Sequence, residues 1–273
     1  MSTFAYDLAN SIDERLEEVD ILILKADEFK ETDEEFYNAL CRSSIVLLTG
    51  HFEGFVKESA KTIVHDINRF SSFKFAPNPI KRTFCNSFID ISDAANQKRL
   101  NSLIDTFDNL DTELKPEPFL YEANDGNKNP SPKVVEKILK NFGVTDFFGV
   151  LNSSLLDDVF KNDKSETESI LNLLKEHVIA GVQSYPYSLD PNRFQLQSGR
   201  RRTQDRTLWE TFLDNLLRRR HSIAHGTIIY NEDSSDEIKS IKTKLQVLHY
   251  AYMLVLFNQC NITSSQGDSS AII

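Results

Sequence analysis

Apolar residues recur at spacings of three and four from the start of the chain. Phe4, Leu8, Ile12, Leu16, Val19 and Ile23 fall on one stripe of a single helix of about 25 residues. Asp33 to Arg69 contains no proline, and Thr32 and Glu35 form a candidate capping box, which predicts a second long helix with Phe36, Leu40, Leu47, Phe52 and Val56 on its apolar side. Gly50 and Gly54 each cost about 1 kcal/mol against alanine inside a helix, so close approach of another backbone is expected there. No stretch alternates apolar and polar residues over the length of a strand. These patterns predict an all-α protein.

Further along, the pattern weakens between Ser71 and Lys133, with a break at Pro77 and Pro79, a helix around Asp93 to Leu114, and the loop-forming string KPEPFLYEANDGNKNPSP. Ser131 and Pro132 then read as an N-cap and first-turn proline for a short helix that Gly143 stops. Later helices are expected over Asp146 to Phe160, Glu166 to Val182, Thr203 to Ala224 and Glu237 to Asn258. With no fixed-period repeat and no strong linker, residues 1–273 read as one helical domain, with 71–132 an inserted middle and 259–273 a frayed tail.

Hydrophobic residues make up 40% of the chain and charged residues 26%, which excludes disorder throughout. No apolar run approaches the roughly 18 residues of a membrane span, and the start is acidic rather than a basic leader, so a cytoplasmic protein is expected. Cys41, Cys85 and Cys260 are far apart and in no CxxC arrangement, which suggests neither a disulfide framework nor a cysteine metal site. The net charge of −10 argues against non-specific coating of nucleic acid. Yet Arg193, Arg200, Arg201, Arg202, Arg206, Arg218, Arg219 and Arg220 crowd one stretch against only Asp205, Glu210 and Asp214, a local footprint for phosphate.

The string LLRRRHSIAHG, Leu216 to Gly226, closes that stretch. His221 and His225 share a face at i and i+4, while Arg220 and His225 diverge by about 140° on a straight helix. Three readings compete. An Arg/His-rich last turn before a capping glycine suits the helix dipole. Two histidines at i and i+4 are a zinc spacing, although a third ligand is required and arginines repel a cation. Arginine with histidine also suits phosphate chemistry, one holding a phosphodiester and the other moving protons near neutral pH.

Arg220, His221 and His225 resemble the arginine, polar residue and histidine motif of the HEPN superfamily, and RRRHSIAHG is similar to the RRN-x-IAHG wording of a bacterial branch. Ala39 to Glu58 and Asn129 to Val144 resemble two other segments of that branch in the same order. Phe52 stands where tryptophan is usual, and His221 where asparagine is commoner. The resemblance implies a helical bundle and a metal-independent endoribonuclease without a cofactor, in which RNA 2′-OH attack leaves a 2′,3′-cyclic phosphate. It also implies service as a toxin or antiphage effector, restrained by an antitoxin or another defence-system partner. On that analogy Arg220 holds the phosphate as charge builds, His225 acts as base or acid, His221 positions the phosphate or shares the proton work, and Arg218 and Arg219 touch flanking phosphates. Glu53 is a candidate for orienting Arg220 or His225, although Glu53 and His51 read more simply as helix-surface residues. His65, His177 and His249 read as core or surface histidines, and Tyr230 as a speculative addition. The rival is a non-catalytic module that binds RNA, a nucleotide or a partner protein. Since one helix separates Arg220 from His225, a homodimer with opposed motifs is expected, and the family commonly pairs so.

Overall fold

The computed structural model describes residues 1–89, 95–120, 129–152, 154–161, 163–196, 205–226 and 233–261, and among these there is no strand. Helix α1, Phe4–Phe29, buries Leu8, Ile12, Leu16, Val19 and Ile23 of the stripe read from the spacing and leaves its first member, Phe4, exposed. A turn at Lys30 to Asp33 reverses the chain into α2, Glu34–Phe70, which packs along α1. The N-cap of α2 is Asp33, whose carboxylate accepts from the Phe36 amide at 3.0 Å, and not the Thr32 of the expected capping box. Asp33 offers its charge directly to the first orphan amides, and the helix starts one residue later.

The middle of the chain is helical where two prolines suggested a break. Helix α3, Asn78–Asn86, carries Pro79 in its first turn, where a missing N–H costs nothing. It is followed by α4, Ala95–Leu110, and by α5, Pro132–Asn141, capped by Ser131 as expected. The single helix expected over Asp146 to Phe160 is two pieces. Helix α6, Phe147–Leu151, ends at Asn152 in extended backbone, and a 3-10 segment, Leu155–Phe160, restarts at Ser154, whose hydroxyl accepts from the Leu156 amide. Gly143 stops α5 at φ +91, with Pro79 packed where a Cβ would stand.

Helix α7, Lys164–Gly181, precedes α8, Leu208–Ala224, and α9, Ser235–Gln259. Both α8 and α9 begin with capping boxes, Thr207 with Glu210 and Ser234 with Glu237, so α8 starts later than expected. From Val247 to Phe257 every residue of α9 is buried, which makes α9 the central helix, enclosed by α1, α2 and α7. Lys239 pairs with Asp27, Lys242 with Asp20, and Gln246 with Asp13, so α9 runs antiparallel to α1. It runs parallel to α2: the Ser235 amide donates to Tyr37 at one end, and His249 packs between Phe52 and Phe55 further along. At the other end of the bundle Asp66 is fully buried and accepts from the Phe4 and Ala5 amides and the Tyr187 hydroxyl, latching the start of α1. Burial raises the Asp66 pKa, and those hydrogen bonds oppose the rise. Thr3 completes the latch by donating to the Val182 carbonyl.

Gly50 and Gly54 do not mark a close approach among the described residues: a Cβ at either would have none of them within 4 Å. No helix among the described residues is long and apolar enough to cross a membrane.

Candidate functional site

Helix α8 is held on one side by Trp209, Leu213, Leu216 and Leu217, which are buried. That leaves Arg218, His221 and His225 exposed and Arg220 at the edge of the buried face. The helix runs through Ala224. The His225 amide still donates to the His221 carbonyl at 3.0 Å, and Gly226 then turns left-handed at φ +66 and stops it. Because the helix does not break before His225, Arg220 and His225 remain about 140° apart around its axis. The histidines meet as their spacing predicts, with ring centroids 4.2 Å apart at 50°. Arg218 lies seven positions before His225, within about 20° on the same face. Within one chain, therefore, the arginine on the face of both histidines is Arg218, about one turn before His221 and about 10.5 Å along the axis from His225.

Charge pairing sorts the arginine cluster. Arg200, Arg201 and Arg202 lie outside the described residues, as does Tyr230. Arg206 pairs with Asp214, and Arg219 with Asp233, whose side chain is 6% exposed. Arg218 donates to the neutral Asn215 carboxamide at 2.6 Å, and Arg220 has no hydrogen-bond or ion-pair partner among the described residues. Of the arginines without an acidic partner, Arg218 lies on the face of the two histidines, which suits an anion, whereas Arg193 belongs to the separate 3-10 segment Pro191–Phe194. Arg219 carries a structural duty that the sequence did not reveal: its ion pair ties the end of α8 to the start of α9. Asp233 gives no signal in sequence, whereas the cap of α9 that follows it, Ser234 with Glu237, is a readable S-x-x-E.

Glu53 is not brought to this motif. Its carboxylate pairs with Lys57 at 2.6 Å, and it lies between Phe52 and Phe55, which contact His249. The motif is tied to the Ser235 end of α9, roughly 20 Å from His249 at 1.5 Å per residue. His51 faces Glu18 at 3.5 Å, and burial lowers its pKa. His177 accepts from the Asp190 amide at 3.0 Å, and His65 packs near Phe4, so both have structural employment. His249 is fully buried, donates from Nδ1 to the Leu245 carbonyl, and has its pKa pushed down to about 4 by burial. Among the described residues no group of three or more His, Cys, Asp or Glu is placed to hold a metal ion.

Comparison with curated proteins finds no match, and neither does comparison with solved structures. A family model described as RiboL-PSP-HEPN matches residues 10–252, from within α1 to within α9. The match spans the candidate motif and most of the chain, and the protein belongs to the RiboL-PSP-HEPN family.

Proposed function

We propose that the protein is a metal-independent endoribonuclease whose chemistry is carried by His225, His221, Arg218 and Arg220. The supporting observation is the last turn of α8, where two imidazoles face one another on the helix face that Arg218 shares, and neither Arg218 nor Arg220 has an acidic partner among the described residues. In the proposed reaction one imidazole takes the proton of an RNA 2′-OH as that oxygen forms a bond to the adjacent phosphorus. The P–O5′ bond breaks and the second imidazole returns a proton to the 5′ oxygen, leaving a 2′,3′-cyclic phosphate and a 5′-OH. Arginine holds the non-bridging oxygens as charge builds on the phosphorane, a task its planar fork suits better than a lysine. DNA lacks the nucleophile. Glu53 has no part in this scheme.

A composite site in a homodimer fits the same geometry. Arg218 shares a helix face with its own chain's histidines, and Arg220, turned away by about 140°, would serve the histidines of a second copy. Membership of the family supports RNA as the substrate, and service as a toxin or antiphage effector held in check by a partner protein is the biological setting we favour. The decisive test is purified protein on total RNA with EDTA. Cleavage that persists and leaves 2′,3′-cyclic ends supports the reaction. RNA that is bound but left intact would assign binding alone, and cleavage abolished by EDTA would overturn the metal-free scheme.

A further inference from the structure

Beside the motif, α8 and α9 enclose a groove of about 270 Å³ lined by Phe160, Leu208, Phe212, Asn215, Arg219 and Lys244, among other residues. A second cavity of about 300 Å³ lies on the other side of the Phe160–Lys244 pair and adds Lys164, Thr167, Ser240 and Thr243. Lys244 belongs to both. Its ammonium stands 5.5 Å from the Phe160 ring centroid and has no hydrogen-bond or ion-pair partner among the described residues. Burial lowers the Lys244 pKa, and nothing opposes that shift.

The other charges here are matched: Arg219 by Asp233, and Lys239 by Asp27 and Asp236. No carboxylate lines the first groove. Its apolar wall is made of Phe160 and Phe212, 6.0 Å apart, with Leu208, Leu216 and Ile241, and Leu208 is 45% exposed. At the opposite end Asn215 both lines the groove and accepts from Arg218, which shares the face of His225. An unmatched cation, half-buried aromatic rings and a carboxamide in one channel are the components that hold a single-stranded nucleotide: a base stacks, a phosphate is neutralised, and the strand continues to the next charge.

We infer that this groove is a nucleotide subsite for single-stranded RNA. A base seats against Phe212 and Phe160, Lys244 binds its phosphate, and Asn215 and Arg218 pass the strand to the histidines. The inference rests on RNA being the substrate but not on its cleavage.

The test is therefore binding of a labelled 2′-O-methyl oligoribonucleotide, whose nucleophile is blocked, to the full-length protein. Lys244→Gln is expected to weaken binding about tenfold and to reduce the salt slope by about one, while Lys244→Arg retains most of the affinity. Phe212→Leu, which keeps apolar bulk without the ring, is expected to weaken the normal probe at least about fivefold and to leave an abasic probe unaffected. Unchanged affinity and salt slope in Lys244→Gln, together with equal affinity in Phe212→Leu, overturn the subsite. Parent protein that binds but does not cleave, with these losses intact, would sink the nuclease reading and leave the subsite standing.

Discussion

His225 sits past the last helical turn, exposed, with its ring against His221 and no packing role in the core. His225→Ala is therefore expected to abolish RNA cleavage while the melting temperature stays within about 1 °C, measured on one preparation by product analysis and calorimetry. A variant as active as the parent removes His225 from the chemistry. Arg220→Lys keeps charge but loses the bidentate fork, and at least about tenfold of turnover should go with it, roughly 1.4 kcal/mol. His249 makes a contrasting prediction, because its duty is packing. Its folded pKa of about 4 lies below the ordinary 6.5, so the unfolded chain takes up the proton first. Stability is full above about pH 6.5, falls as pH drops towards 4, and levels off below that. At about 1.36 kcal/mol per pKa unit the loss is roughly 3 kcal/mol. His249→Phe, which keeps a ring between Phe52 and Phe55, should flatten that part of the stability curve in urea titrations; an unchanged acid slope would mean His249 is hydrated.

Helices were legible to the extent that their ends announce themselves. Stripes on α1 and caps such as Ser131 are local signals, and the structure keeps them. Proline is two-sided: Pro79 reads as a breaker, yet at a first turn it starts α3. The split between α6 and the segment at Leu155 was hidden because both pieces are apolar, and only the Ser154 cap divides them. Within the motif, spacing alone gave the shared face of His221 and His225, but the Arg219–Asp233 pair joins two elements across a loop and has no sequence period. Gly50 and Gly54 were expected to accommodate a neighbour and have none among the described residues. Gly50→Ala should therefore gain about 0.5–1 kcal/mol from helix propensity alone and raise the melting temperature by roughly 2 °C. A lower melting temperature would point to a second molecule seated on that face.

At the scale of the whole molecule, the composite site predicts its own complementation. Arg220→Ala and His225→Ala proteins, each inactive, should on mixing and exchange recover about a quarter of parental activity, since half the dimers are mixed and each holds one intact site. Recovery absent despite demonstrated exchange, or an active species that sediments as a monomer, would refute the shared cleft. The fold also sets a schedule. Its central helix is α9, which packs against α1 and α2; Asp233, just before its cap, anchors the end of α8, and the Ser235 amide donates to Tyr37 of α2. During synthesis the histidines of α8 leave the ribosome before the helix that fixes them. At about 5–20 residues per second the 25 residues of α9 take a few seconds more. A nascent chain thus carries the His221–His225 turn out of the ribosome before α9 exists to fix it.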